Sequence, residues 1–331
     1  MTGDDLFFRA ATLQNEGDFD GALACLRQSE ESGVSEQHRA ALHWSTGDAL
    51  AGLAGALGDC AEGDRRYEEA AARYQEALRV DPSCSAALGN WGVALSRQAA
   101  SKRDPAERAQ LFKQSSDKYE RATRLKEDQD NWYYDWGQGL LVLARLTADP
   151  LERDRLLVSA IARFDDTLRI NPTRGDALNN QATARADRAL LAGDSLVGNA
   201  LLAEAAQGYA AALLTHDDAS QVQFNWGTAL IDYAKVKTNP LERDQLLDEA
   251  ERRLLAAASL RPQFFSAYYN LACARALQGD APRAVAYLAQ WAHENPAAAT
   301  ARMDVDPDFT AILKSEELSE FIARLRAAGG G

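Results

Sequence analysis

Five polar residues recur at one fixed step: Asn90, Asp135, Asn180, Asn225 and Asn270, each 45 residues after the last (135 minus 90, and so on). An Asn side chain offers a carbonyl acceptor and an NH₂ donor. A row of such amides can pair with the N–H and C=O groups of an extended peptide whatever its sequence. That chemistry is recognition rather than catalysis. The four histidines, His38, His43, His216 and His293, are scattered, with no carboxylate or hydroxyl in phase with them. A triad or a metal site needs such partners at matching positions. No GxxxxGK[ST], GxGxxG, HExxH or GxSxG pattern occurs, so phosphate-cradling, zinc and nucleophile-elbow chemistries have no support. The acidic tracts Glu127-Asp128-Gln129-Asp130 and His216-Asp217-Asp218 lack the spacing and glycine of a calcium loop, and read as turns ending in helix-start aspartates. The sequence therefore predicts no catalytic residue, no cofactor and no metal.

The elements that position these residues follow from the same period. The anchors are Asn90-Trp91-Gly92, Asp135-Trp136-Gly137, Asn180-Gln181-Ala182, Asn225-Trp226-Gly227 and Asn270-Leu271-Ala272. A second series, Tyr74, Tyr119, Phe164, Tyr209 and Leu254, keeps the step. Ala70, Ser115, Ala160, Ala205 and Ala250 precede it by four residues, and Ala77, Ala122, Thr167, Ala212 and Ala257 follow by three. Small, large and small at i, i+4 and i+7 share one helical face, where the small residues let a neighbouring helix approach. Asp81-Pro82, Asn171-Pro172 and Arg261-Pro262 end the units in phase, since proline stops a helix and disfavours helical geometry before it. Each unit is a helical hairpin, with a first helix A and a second helix B.

This pattern resembles the tetratricopeptide repeat, whose signature is a large residue, Leu-Gly and an aromatic on helix A, then Ala-x-x-x-Phe and Pro on helix B. The resemblance covers nearly the whole chain and implies an all-α solenoid, a right-handed superhelix of about seven hairpins. The family period is 34, so 45 leaves 11 extra residues, about three turns at 3.6 residues each. In the last repeat Ala272 to Ala284 spans 12 residues, with Leu288, Trp291 and Pro296 at family spacing, whereas Gly92 to Ser115 spans 23. The extra length thus sits at the A–B turn. There Asp104-Pro105-Ala106-Glu107, Asp149-Pro150-Leu151-Glu152 and Asn239-Pro240-Leu241-Glu242 read as N-cap, proline at the first helical position and Glu three after the cap.

The expected solenoid covers 1–297, with hairpins at 5–33, 37–82, 84–127, 129–172, 174–217, 219–262 and 264–297. Five tall units are flanked by two of ordinary length. Residues 298–328, with Phe309, Ile312, Leu313, Leu318, Phe321, Ile322 and Leu325, form an amphipathic cap over the last hairpin. Gly329–Gly331 is read as a disordered tail.

Composition agrees: 46% hydrophobic and 26% charged residues, with 9 prolines and 22 glycines, describe an ordered helical chain. The net charge of -13 repels a phosphate backbone, so nucleic acid is not expected. Cys25, Cys60, Cys84 and Cys273 show no CxxC or disulfide framework, which suits a reducing compartment. The N-terminus lacks a secretory pattern and no apolar run reaches membrane-spanning length, so a cytoplasmic location is expected, or an organelle stroma after removal of a transit peptide.

Solenoids of this kind place the A helices on a concave groove. The resemblance puts the residue two before the helix-A glycine in it, which is the Asn90, Asp135, Asn180, Asn225, Asn270 series. Counting along helix A adds Arg97, Asn131, Gln138, Asp176, Thr183, Asp187, Gln221, Thr228, Asp232 and Ser266. Lys is missing from these positions. Chaperone-binding members of the family need cations to clamp an acidic tail, so a neutral or basic extended segment is the expected ligand, with Asp135, Asp176, Asp187 and Asp232 as counter-charges. Trp91, Trp136 and Trp226 are expected to wedge in the core. Trp132, Tyr133 and Tyr134 are expected to be partly exposed and to form a local hot spot. The expected function is a protein-binding scaffold holding a partner's peptide or helix. Self-association as part of a larger complex, or regulation of a separate enzyme, are the alternatives.

Overall fold

The structure, a computed structural model, describes residues 1–292 and 306–328. His293, Pro296, the end of the seventh predicted hairpin (293–297), the start of the predicted cap (298–305) and the tail 329–331 lie outside the described residues. The described residues are helical, without a strand.

The chain divides into two compact units, Met1–Pro172 and Thr173–Gly331. Unit 1 holds four hairpins: α1 (Gly3–Asn15) with α2 (Phe19–Ser32), α3 (Arg39–Leu57) with α4 (Ala61–Val80), α5 (Ser85–Ser101) with α6 (Pro105–Leu125), and α7 (Asp130–Leu146) with α8 (Pro150–Ile170). Unit 2 holds α9 (Gly175–Ala192) with α10 (Leu196–Ala212), α11 (Ala219–Ala234) with α12 (Pro240–Leu260), and α13 (Phe265–Leu277) with α14 (Ala281–Ala292). A 3-10 turn at Pro307–Ile312 and helix α15 (Glu316–Ala328) complete it. Within each unit the odd-numbered A helices pack on one another, and each B helix packs on its own A helix and on the next.

One close approach builds every tall hairpin. The large residue of helix B lies against the helix-A glycine 27 positions earlier (119 minus 92). A methyl group on Gly92 would come within 2.7 Å of the Tyr119 ring, on Gly137 within 2.8 Å of Phe164, and on Gly227 within 2.6 Å of Leu254. The same contact holds Tyr74 against Gly47, at 2.9 Å. The anchor register therefore reaches back to Ser45-Thr46-Gly47, one hairpin earlier than the sequence reading placed it. In α9 the position is Ala182, and the room comes from the other side: a methyl on Gly208 would stand 3.0 Å from the Ala182 methyl. Tyr74, Tyr119, Phe164, Tyr209 and Leu254 are all fully enclosed, as are the small residues flanking them. Burial of each such side chain contributes about 1.5–3 kcal/mol.

The anchor tryptophans pack between helices. Trp91 stacks on Tyr74 of the preceding B helix with Lys118 of its own B helix 4.5 Å from the ring centre. Trp136 has Arg163 at 4.6 Å, and Trp226 stacks on Tyr209 with Arg253 at 3.4 Å. The cation is again 27 residues on (118 minus 91), a favourable placement over an indole face. Where Gln181 replaces Trp, Gly208 stands in the cation's place.

The helix starts fall where the sequence put them. Asp104, Asp149 and Asn239 cap α6, α8 and α12 with proline at the first turn. Buried lysines tie two of the tall tips. Lys102 reaches Asp59, Asp64 and Glu107, and Lys237, 135 residues on, reaches Asp194 and Glu242. The ammonium of each pair holds its Asp (Asp59, Asp194) below the usual carboxylate range. In unit 2, Phe309, Ile312, Leu318 and Phe321 pack on α13 and α14 and close the end of the stack.

The glycine contact leaves no space for a branched side chain. Gly137→Leu is expected to destabilise unit 1 by about 1–3 kcal/mol, the range for overpacking a filled core, read as a lower urea midpoint for the full-length chain. An unchanged midpoint would mean that α7 and α8 are not held at this separation.

Candidate functional site

In unit 1 the inner faces of α1, α3, α5 and α7 surround a hollow of about 710 Å³. Phe7, Phe19, Trp44 and Trp132 contribute apolar walls, while Asp48, Asn90, Arg97, Asn131 and Asp135 bring polar groups to it. Four of the sequence-predicted groove residues thus meet here: Asn90, Arg97, Asn131 and Asp135. Asp48 was not among those predicted, although it lies one residue after the anchor glycine Gly47. Its Oδ1 accepts from the Tyr74 hydroxyl at 2.6 Å and its Oδ2 from Asn90 Nδ2 at 2.7 Å. Both donors are neutral, and burial pushes the Asp48 carboxyl up to about 6.

The amide series is tied into the A-helix layer at several points. Asn90 donates to Asp48 of the preceding A helix, and Asn270 Nδ2 donates to Thr228 Oγ1 at 2.8 Å, both 42 residues back. Asn225 Nδ2 donates to Asn179 Oδ1 at 3.2 Å and its carbonyl accepts from Gln221. Asn180 accepts from Asn179. Gln138 donates to the Tyr134 hydroxyl, and Thr183 meets the Tyr209 hydroxyl at 3.0 Å. Asn180, Asn225, Gln138, Asp176 and Asp187 line neither this hollow nor the smaller one below.

Unit 2 has a recess of about 170 Å³ between α11 and α13, walled on its third side by the segment after residue 305. Thr228, Asp232 and Asn270 line it together with Lys235, a cation that the helix-A counting did not include. Lys235 Nζ lies 2.8 Å from Asp308 and 3.3 Å from Asp232, and Tyr269 donates to Asp306. Asp176 is likewise paired, with Arg174 at 2.9 Å. The predicted counter-charges Asp176 and Asp232 are thus already answered from within the chain. Cys273 and the two aspartates also bring ligand atoms within 4.8 Å of one another. Burial and the neighbouring carboxylates push the Cys273 thiol well above its ordinary range, and the Lys235 ammonium supplies the positive charge that Asp308 faces. The cluster is an ion-pair network closing the cap.

The expected exposed aromatic cluster does not hold. Trp132 and Tyr133 are buried, Trp132 because its indole fills the space left by Gly89 on α5, where a methyl would come within 2.1 Å of it. Tyr134 is half-buried, tilted on Phe164. Of the three, Trp132 lines the hollow.

Ser35, His38 and Asp4 do come together, a combination worth testing for nucleophilic chemistry. Ser35 Oγ lies 2.9 Å and Asp4 3.1 Å from the same ring nitrogen, Nδ1 of His38. A proton relay needs the hydroxyl and the carboxylate on opposite nitrogens, so this group ties α1 to the turn before α3 and has no relay geometry.

No family model matches the chain, and no curated protein matches it in sequence. Its fold is that of tetratricopeptide-repeat proteins. A tetratricopeptide repeat protein from Parabacteroides merdae aligns over 98% of both chains with a TM-score of 0.54 at 12% identity. The C-terminal part of a TPR repeat-containing protein from Cytophaga hutchinsonii aligns with a TM-score of 0.52 at 13% identity, covering 82% of this chain and 88% of that one. No described helix is long and apolar enough to cross a membrane.

Asp48 gives a signed pH prediction. Its folded value, about 6, lies above the ordinary 3.8, so its contribution to stability is full below about pH 3.8 and is lost as pH rises through 6. Asp48→Asn keeps an acceptor for Tyr74 and needs no charge. It is expected to raise stability by about 1–3 kcal/mol above pH 7, from about 1.4 kcal/mol per unit, and to leave it unchanged near pH 4. Denaturant titrations at the two pH values check this, and a gain of equal size at both would exclude ionisation as the cause.

Proposed function

We propose that the protein is a non-enzymatic scaffold that holds an extended segment of a partner protein on the A-helix face of unit 1. The observation that supports this reading is the hollow between α1, α3, α5 and α7. Its aromatic walls and exposed Arg97 and Asn131 combine apolar anchoring with polar orientation, the usual make-up of a recognition site. Asn131 and Asp135 present peptide-pairing groups along α7, and Arg97 adds a donor fork on α5. The partner segment is neutral to basic, because the chain is strongly acidic and the groove carboxylates favour cations. Tyr133 and Tyr134 act from beneath, fixing α7, while Trp132 contributes part of the wall of the hollow. Asn180, Asn225 and Asn270 are the corresponding candidates on the A helices of unit 2, α9, α11 and α13.

Assembly is the second reading, favoured by one feature. At the tips of unit 2, Leu196 and Leu241, 45 residues apart, are 89% and 67% exposed, with Val197 beside them at 61%. Light scattering after size exclusion reads this directly: a monomer at all accessible concentrations removes it.

Affinity purification with mass spectrometry tests the first reading on three full-length forms: native, Arg97→Glu with Asn131→Ala, and Asn180→Ala with Asn225→Ala and Asn270→Ala. We expect a partner that the native form recovers and the unit 1 double variant loses. The triple variant then shows whether unit 2 shares the contact. A partner retained by both variants places binding outside the A-helix face.

A further inference from the structure

Of the carboxylates on the two grooves, Asp48 stands apart. Asp232 and Asp308 share Lys235, and Asp176 has Arg174. Asp48 has no ion pair among the described residues; its hydrogen bonds come from a phenol and an amide. A charge withdrawn from water without a counter-ion is costly, and neutral donors offset only part of that. The groups that face it from the packed elements are few. Helix α1 brings Gln14, α4 brings Tyr74, α5 brings Asn90 and Arg97, and α7 brings Asp135. Arg97 is exposed to solvent and acts on Asp48 through space, without a hydrogen bond to it. Its charge is matched by Asp135 in the same hollow, which leaves the site with one net negative charge at neutral pH.

Beside Asp48, Trp44 and Trp132 line the same space. An aromatic wall leading to a buried carboxylate suits a long cationic side chain, whose methylene stem packs on apolar surface while its head finds the charge.

We propose that the hollow of unit 1 is the subsite for one Lys or Arg side chain of the partner segment, its cation paired with Asp48 and its stem against Trp44 and Trp132. This rests on the reading of unit 1 as the partner-binding groove and names the residue type that the groove selects. Binding is linked to a proton: ligand and proton compete for Asp48, so affinity falls as the carboxyl protonates. With the free carboxyl titrating near 6, about ten-elevenths of it is protonated at pH 5, and affinity drops about tenfold relative to about pH 7.5.

A phage-displayed random dodecapeptide library, panned at about pH 7.5 on the full-length native chain and on Asp48→Asn, tests it. The native chain is expected to enrich peptides sharing one Lys or Arg at a fixed register, and Asp48→Asn to enrich peptides without that preference. A selected Arg-containing peptide, titrated against the native chain, should lose about tenfold in affinity by pH 5 and show no such loss against Asp48→Asn. Enriched peptides without a shared basic residue, a basic preference that persists in Asp48→Asn, or an affinity independent of pH on the native chain would each overturn the subsite while leaving the groove as a binding site. If neither protein enriches any peptide, the groove reading fails and the subsite with it.

Discussion

The close approach of a large helix-B side chain to the helix-A backbone is the constraint on which both units depend. It fixes the separation of the two helices in a hairpin, and the 27-residue offset fixes how far down each helix the contact lies. A repeat with this contact in register positions its neighbours too, because the next A helix packs into the surface that the pair creates. The constraint is on volume rather than on residue type. Gly208 makes room at Ala182 where the other tall hairpins make room at the anchor glycine, and Leu254 fills the place of an aromatic ring.

The same contact links core to groove. A tyrosine seated on the glycine pushes its hydroxyl through to the inner face, beside the residue that follows the glycine. At Tyr74 that residue is Asp48 and at Tyr209 it is Thr183, each within hydrogen-bond distance. At Tyr119 it is Val93, and the buried hydroxyl has no partner of good geometry among the described residues; Ser96 and Ser115 bond each other instead. Phe164 and Leu254 avoid the problem by having no hydroxyl. Groove chemistry is therefore partly dictated from the core side, because a tyrosine at the core position calls for an acceptor one residue past the glycine.

The hairpin architecture was legible because it is periodic. The 45-residue step, the helix starts at Asp104, Asp149 and Asn239, and the core series from Tyr74 to Leu254 all follow from local pattern. What escaped were pairings that period does not encode. Asp48 was hidden because Ser45-Thr46 replaces Asn-Trp at its anchor, so the register was not extended to Gly47, although stepping back 45 from Gly92 lands on it. Burial of Trp132 depends on Gly89, on a different hairpin, and aromatic density alone does not distinguish a patch from a core layer. Lys235 lies just past the end of α11, outside the helical counting, and its partner Asp308 comes 73 residues later (308 minus 235) in a segment with no repeat.

The two units spend their charge differently, and this bears on what each can bind. In unit 2 the chain's own Asp306 and Asp308 occupy the wall of the α11–α13 recess and its lysine is neutralised there, so a ligand arriving at that recess would have to displace an ion pair and the packed Phe309. In unit 1 no ion pair reaches Asp48 among the described residues: its hydrogen bonds come from the neutral Tyr74 and Asn90, and Arg97 acts on it only through space. An Asn at 48 would satisfy Tyr74 equally well without the desolvation cost. The Tyr74 bond therefore does not require the charge, and what an amide would give up is the second acceptor, which meets Asn90 Nδ2. The physical consequence of the charge is confined to the hollow, where it raises the attraction for a cation above what water offers to an exposed Asp. In a stack whose repeats depend only on their neighbours, such a local cost is tolerated without spreading through the fold.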